Sequence, residues 1–344
     1  MVRTVDETAV TSAAGAGSAP LVLGRYRLLR RLGAGAFGVV HLARDETLGR
    51  LVAIKRIELH DERVAARAAR EAQAAARLSH PGIVALFEAA RDDHAVHLVS
   101  EAVRGRTLAE LLAAGGLSDH DALRIGAALC DALEHAHLRG VVHRDVKPAN
   151  VIVPDEPGGE AEIAKLTDFG VAWIADDDAL TRTGDVVGTL AYMAPEQAEG
   201  RPAGPPADLY SLALVLFEAL SGVNPVRAPG AAATVRRVGS RLPPLGRLRR
   251  DLPRGLCAAI DRALLARPDQ RGSLTELRDA LDGALEEAAV EHGPVGPSAF
   301  ETTHASLHRT LAHDAHAPHP AWTVGAGTSR PRRTAALGAD ARAP

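Results

Sequence analysis

The hydrophobic periodicity of this chain changes character near residue 104, and that change restricts the fold more than any other feature of the sequence. Before it, apolar residues alternate or run in β-branched stretches at 26–32, 37–43, 51–57, 83–87 and 95–100, the pattern of short strands. One helix interrupts them at 61–78. It is rich in Ala and Arg, carries Asp61 and Glu62 in its first turn, and is stopped by Ser79-His80-Pro81-Gly82. After Thr107 the helical period dominates. Ala122, Ile125, Leu129, Leu133 and Ala136 share one face of a helix closed by Gly140, and Leu274, Leu277, Leu281 and Leu285 share another. The expectation is an α+β chain in two lobes, a small β-rich N-lobe at about 24–103 and a larger helical C-lobe at about 104–283, with ligands favouring the junction. Residues 1–23, rich in Ala, Ser, Gly and Thr without a period, read as a flexible leader. Residues 284–344, rich in Gly and Pro, read as a disordered tail. Six histidines fall in that tail (His292, His304, His308, His313, His316, His319), and their irregular, Pro-interrupted spacing favours solvent exposure over a designed metal site.

The chemistry-bearing motifs lie between the two tails. In Gly33-Ala34-Gly35-Ala36-Phe37-Gly38-Val39-Val40 the glycines let backbone N–H groups approach a phosphate, because no Cβ intervenes and positive φ costs little. Alone, this motif leaves alternatives open. No Gly-Lys-Ser/Thr follows it, and a dinucleotide-binding fold would need a helix to open there, whereas Val39 to Ala43 continues as a strand. Glu58 does stand where a ribose-binding acid would be expected, so that fold and a plain hairpin both remain possible on this motif alone. Next, Val52-Ala53-Ile54-Lys55 ends an apolar strand on a lysine, whose ammonium needs an anionic partner if buried. Phosphate oxygens or a carboxylate would serve. Glu71 is one carboxylate within reach, unless it merely pairs with Arg67 on a solvated helix face.

The decisive motif is His143-Arg144-Asp145-Val146-Lys147-Pro148-Ala149-Asn150, which follows a helix stop and lies between two short strands. Phosphoryl transfer asks for a carboxylate near the attacking hydroxyl, a lysine to offset charge on the transferred group, and an asparagine oxygen for a metal ion. Asp145, Lys147 and Asn150 supply all three. Asp168-Phe169-Gly170 adds a second metal carboxylate, and Ala194-Pro195-Glu196 closes the segment that starts there.

With these motifs in this order, residues 24–283 resemble the eukaryotic-like Ser/Thr protein kinases, especially their bacterial branch. The resemblance implies a two-lobed protein kinase fold in which Gly33, Gly35 and Gly38 cover the ATP phosphates and Lys55 binds the α/β-phosphates while pairing with Glu71. By the same resemblance Leu32, Val40 and Ala53 sandwich adenine and the backbone of Glu101 and Val103 bonds it. Asp145 accepts or orients the substrate hydroxyl proton, and Lys147 is the pattern of Ser/Thr rather than Tyr kinases. The resemblance further implies that Asn150 and Asp168 hold Mg2+, with Mn2+ able to substitute. Asp208 anchors the catalytic loop from a central helix, and Arg271 pairs with Glu196. Arg144, immediately before Asp145, implies a basic pocket neutralised by phosphate on Thr181 or Thr183, while Thr189 positions substrate. The function implied is transfer of the ATP γ-phosphoryl group to Ser/Thr hydroxyls of proteins, this chain included, in trans. Because Lys55, Asp145, Asn150 and Asp168 are all present, a catalytically dead scaffold is disfavoured, and a nicotinamide oxidoreductase would leave the later motifs without a role.

Three departures from the family pattern stand out. Ser100 is a small residue where relatives often carry a larger apolar one, which implies a roomy pocket behind adenine. The turn at 154–159 is lengthened, and Ala213 replaces a common glycine. Composition narrows the remaining options. With 40 basic against 43 acidic residues the chain is no globally basic nucleic-acid binder. Cys130 and Cys257 form neither a disulfide framework nor a metal spacing, which fits a reducing, cytoplasmic setting. The first residues carry acids and lack the apolar core of a secretory signal, and no run approaches the roughly 18 apolar residues of a membrane span. Relatives commonly continue into a membrane helix and a sensor, for which Arg330 to Arg333 would be a fitting flank. The direct reading is a soluble kinase, with a truncated gene as its rival.

Overall fold

The strand-like alternation closes into one antiparallel sheet in the computed structural model, which describes residues 21–35, 38–58, 72–92, 94–169 and 190–292. Its strands are β1 (Tyr26–Gly35), β2 (Gly38–Asp45), β3 (Leu51–Glu58), β4 (Leu86–Arg91) and β5 (Ala95–Glu101), in the spatial order β1-β2-β3-β5-β4. The register sets Val40, Lys55 and Leu98 in one cross-strand row and Leu42, Ala53 and Ser100 in the next. Because side chains alternate along a strand, both rows share one face. The β2–β3 turn is held by Asp45, whose carboxylate accepts from the amides of Thr47 (3.0 Å) and Leu48 (3.1 Å), and from Arg25 at 2.8 and 2.6 Å.

Helices follow. The C-lobe comprises α1 (Leu108–Ala114), α2 (Asp119–His137), α3 (Pro195–Ala198), α4 (Pro205–Ser221), α5 (Ala231–Arg237), α6 (Leu245–Leu248), α7 (Arg254–Ala263) and α8 (Leu274–His292). Ser118 caps α2 by accepting from the Asp121 amide, with Asp119 and Asp121 in the first turn, and Gly140 adopts left-handed φ at 74° beyond its end. Helix α4 starts on two prolines, which have no N–H to satisfy in a first turn, and is apolar on all sides. Every residue from Ala207 to Leu220 except Ala219 is buried, so α4 is the central pillar on which α2 and α7 pack, with α8 laid over α2 and α7. Between the lobes, β6 (Gly105–Thr107), β7 (Val151–Pro154) and β8 (Lys165–Leu166) form a second small sheet in that order.

Several boundaries differ from the sequence-based expectation. The strand placed at 83–87 begins at Leu86, because Ile83 bridges to Leu166 and the Val84 amide donates to the Leu166 carbonyl, drawing this stretch toward β8. Of the leader placed at 1–23, residues 1–20 lie outside the described residues, and Val22 bridges to Tyr26 and packs with Leu23 on the Tyr26–Val52–Val99 cluster. The boundary placed at 284 falls within a helix. Helix α8 runs to His292, with Ala284 buried and Leu285 packed on the core, so the composition change falls inside a helix. Of the helix placed at 61–78, residues 61–71 lie outside the described residues, and 72–75 are helical.

Candidate active site

A cleft of about 640 Å3 opens between the large sheet and the small one. Leu32, Val40, Ala53 and Lys55 line it from β1–β3, Glu101 from the end of β5, Ala102 and Val103 from the connection that follows, and Ile152, Thr167 and Asp168 from β7 and the segment after β8. The shared sheet face accounts for Val40, Ala53 and Lys55 standing together. At the β1–β2 turn Gly35 pairs with Gly38, and Gly33 and Gly35 end β1. Gly38 sits at φ 120°, where a Cβ would lie 2.1 Å from the Arg56 carbonyl oxygen, so only glycine fits there.

A second cavity of about 570 Å3 shares Lys55, Val84, Ser100, Thr167 and Asp168 with the first and continues to Ala72, Ala75, Leu86, Leu98 and Phe169. Ser100 thus stands at the passage between the two. Beside it, Glu101 is fastened on three sides. Its amide donates to the Ala85 carbonyl (2.9 Å), one carboxylate oxygen accepts from the Ala85 amide (3.3 Å), and the other pairs with Lys165 at 2.9 Å.

The loop 143–150 is shaped by one carboxylate. Asp208, fully buried in the first turn of α4, accepts from the amides of His143 (2.8 Å) and Arg144 (2.7 Å) and bonds His137 Nε2 at 2.7 Å. Arg144 has left-handed φ of 66°, a conformation that a non-glycine residue holds only when its surroundings dictate it. Its carbonyl accepts from Gln197 of α3 at 2.9 Å. His143 Nδ1 accepts from the Asp145 amide (3.2 Å), which makes Nε2 the protonated nitrogen, donating to the Thr167 carbonyl at 2.9 Å. The loop is thereby tied to the residue before Asp168.

Within this frame Lys147 Nζ pairs with Asp145 Oδ2 at 2.7 Å, and Asn150 Nδ2 donates to the Asp145 carbonyl (2.8 Å) and to Oδ2 (2.9 Å). Antiparallel β7 and β8 pair Val151 with Leu166, so Asn150, just before β7, lies beside the residues just after β8. The Thr167 amide donating to the Asn150 carbonyl at 3.0 Å completes that approach. Asp168, with φ 65°, pairs with Lys55 at 2.9 Å. Burial opposes its ionisation, yet Lys55 foremost, with Lys147 and His143, outweighs that and holds the carboxyl below the usual range.

Asp168 carboxylate and Asn150 carboxamide oxygen are hard donors of the kind that suit a divalent cation also bound by phosphate. Among the described residues no group of three or more His, Cys, Asp or Glu could hold a metal ion.

The far end of the site is locked by Arg271. Its guanidinium is buried and uses all five N–H donors, two on Glu196 (2.7 Å each) and one each on the carbonyls of Leu265 (2.8 Å), Ala266 (2.9 Å) and Pro206 (2.9 Å). Glu71, Thr181, Thr183 and Thr189 lie outside the described residues. Sequence reasoning did not single out Val84, Ile152, Thr167, Lys165 or Gln197. For Ile152 a signal existed: in a strand directly after Asn150, the residue between two buried valines must face the opposite way.

Comparison with known proteins places this site in context. Residues 26–277 match the family model described as the protein kinase domain. The chain is 35% identical over 264 residues to the serine/threonine-protein kinase PrkC of Bacillus subtilis (strain 168), covering 75% of this chain and 40% of that protein. It is 37% identical over 279 residues to the serine/threonine-protein kinase PknJ of Mycobacterium tuberculosis (strain ATCC 25618 / H37Rv), covering 80% and 47%. Over 258 residues it is 38% identical to the serine/threonine-protein kinase PknA of M. tuberculosis (strain ATCC 25177 / H37Ra), covering 72% and 58%. The chain therefore spans between 40% and 58% of the length of these relatives.

Proposed function

The chain belongs to the protein kinase family, and from that premise we propose that it transfers the γ-phosphoryl group of ATP to Ser or Thr hydroxyls of proteins. The observation that carries this reading is the bonded set of Asp145, Lys147 and Asn150, in a loop held by Asp208 and tied to Thr167, the residue before Asp168.

In this reading adenine enters between Leu32, Val40 and Ala53 on one side and Ile152 on the other, against the backbone of Glu101 and Val103. The phosphates run toward Lys55 under the turn of Gly33, Gly35 and Gly38, whose backbone N–H groups need no Cβ clearance. Asp145 orients the acceptor hydroxyl and takes its proton as the hydroxyl oxygen bonds the γ-phosphorus and the bond to the bridging oxygen of ADP breaks. Lys147, already bonded to Asp145, offsets charge on the transferred group. Asp168 and the Oδ1 of Asn150 would hold a divalent cation, Mg2+ with Mn2+ as substitute, which neutralises phosphate charge when bound. The low carboxyl pKa direction of Asp168 keeps it a ready ligand.

Autophosphorylation in trans at Thr181 or Thr183 belongs to the same proposal, with the new phosphate drawn to Arg144. No helix among the described residues is long and apolar enough to cross a membrane, and a cytoplasmic supply of ATP fits the reading. The test incubates purified protein with [γ-32P]ATP and Mg2+ or Mn2+, beside Lys55→Met and Asp145→Asn, followed by mass-spectrometric mapping. Label in the wild type alone, including Thr181 or Thr183, is the expected result. Equal label in Asp145→Asn would sink the assignment, and label elsewhere only would remove the switch while leaving the enzyme.

A further inference from the structure

Charge in this chain is nearly balanced overall, but not locally. Between Arg227 and Arg254 lie eight arginines and one acidic residue, Asp251, with no lysine. Two of the arginines are used internally. Arg227 pairs with Glu218 at 2.9 Å and bonds the Tyr192 hydroxyl, while Arg249 is taken up by Asp119 and Asp251. The other six, Arg236, Arg237, Arg241, Arg247, Arg250 and Arg254, are exposed, and none pairs with a carboxylate among the described residues. Arg236 and Arg237 end α5, Arg247 lies on α6, Arg254 starts α7, and Arg241 and Arg250 stand in the loops between them, so like charges without carboxylate partners are gathered along one stretch of chain, where they repel one another. Apolar groups are interleaved with them: Val235 is 43% and Leu248 50% exposed.

The position of this face gives it a partner class. Arg237 donates to the Arg227 carbonyl at 2.8 Å, and Arg227 in turn bonds Tyr192. Gly239 lies against Pro195, where an added Cβ would meet the proline ring at 3.3 Å. The α5 end of this basic stretch therefore adjoins Tyr192 to Pro195. We propose that it is a docking surface for an acidic protein segment with interspersed apolar residues, captured apart from the residue that enters the cleft. Residues 222–255 contain no aromatic residue or histidine, so the surface offers no stacking platform for bases, and α5 has only 7 residues, too short to lie along a membrane. A protein partner remains the best match of charge and apolar content.

The test uses the full chain without nucleotide and a fluorescein-labelled peptide of repeated Glu-Glu-Leu units, read by anisotropy against the Gln-Gln-Leu counterpart. Wild type should bind the acidic peptide and not the neutral one. Arg236→Glu/Arg237→Glu/Arg241→Glu should weaken binding about tenfold or more, as expected for three exposed charges reversed together. Arg247→Ala/Arg250→Ala should give a smaller loss in the same direction, and Arg267→Glu, on an exposed arginine outside the face, none. Thermal midpoints of all variants should match the wild type. No binding by wild type, equal binding of the neutral peptide, undiminished binding by the triple variant, or preference for a DNA duplex or for phosphatidylserine vesicles each overturns the proposal. A second arm adds an acceptor serine to the acidic peptide and rests on the kinase reading: KM should rise in the triple variant with kcat unchanged. If no variant phosphorylates anything, the kinase reading fails while the anisotropy still decides the surface.

Discussion

Single side chains decide how the cleft and its supports behave. Ser100 separates the nucleotide cleft from the cavity behind it, and a larger residue would close the passage. Ser100→Met is expected to keep ATP affinity within about threefold while weakening ligands that carry a bulky group past adenine by about tenfold or more, because overlap with packed atoms is far costlier than lost contact. Competition binding with one compact and one extended ATP-site ligand checks this. An unchanged ratio of their affinities would refute the role of Ser100. Asp45 gives a pH prediction. Its bond to Arg25, helped by the amides of Leu48 and Thr47 against burial, lowers its pKa to about 2. The unfolded chain, with an ordinary value of about 3.9, binds more protons between those limits, so stability rises with pH through that window. The contribution is complete above about pH 4 and is lost as pH falls toward 2. Urea midpoints of wild type and Asp45→Asn should therefore differ by a constant amount at neutral pH and converge near pH 2. A gap that persists there would refute the pairing.

Elements are joined by a few buried polar links. Arg271 connects α3 with the start of α4 and the loop before α8, and removing it would strand Glu196 in the core. Arg271→Met is expected to lower the unfolding free energy by about 3–5 kcal/mol with the denaturant slope unchanged. A loss under about 1 kcal/mol would show that water replaces the guanidinium. At this scale the sequence was readable where an element carries its own signal. Periodicity located the strands, Ser118 and Gly140 bracketed α2, and the leucines at 274, 277 and 281 marked the buried face of α8. Asp145, Lys147, Asn150 and Asp168 stood out in the sequence because of their fixed spacing, and the structure joins the first three to one another and Asp168 to Lys55. What escaped was relational. Composition suggested an end near 284, but there helix α8 still packs against the core, with Ala284 buried. The start of β4 depended on Ile83 and Val84 pairing with a strand some eighty residues away. The Glu101–Lys165 pair likewise joins two residues that nothing in the local pattern relates.

Across the whole molecule, the cleft is bounded by residues from both lobes, so a ligand that fills it contacts both. ADP with Mg2+ at about a hundred times its Kd should raise the unfolding free energy by about 2.7 kcal/mol in a single transition. Asp168→Asn should reduce the part of that gain that depends on Mg2+. Calorimetry with and without the cation measures both, and a gain confined to one of two separate transitions would mean that the lobes unfold independently. The arrangement of Asp208 extends further. The loop 143–150 has a shape that its own residues do not store, since Arg144 is held in a left-handed conformation and two consecutive amides end on a carboxylate in α4. Transplanting those eight residues into another scaffold would therefore move the letters without the shape. A working graft has to bring the first turn of α4, and the pillar that fixes where that turn stands.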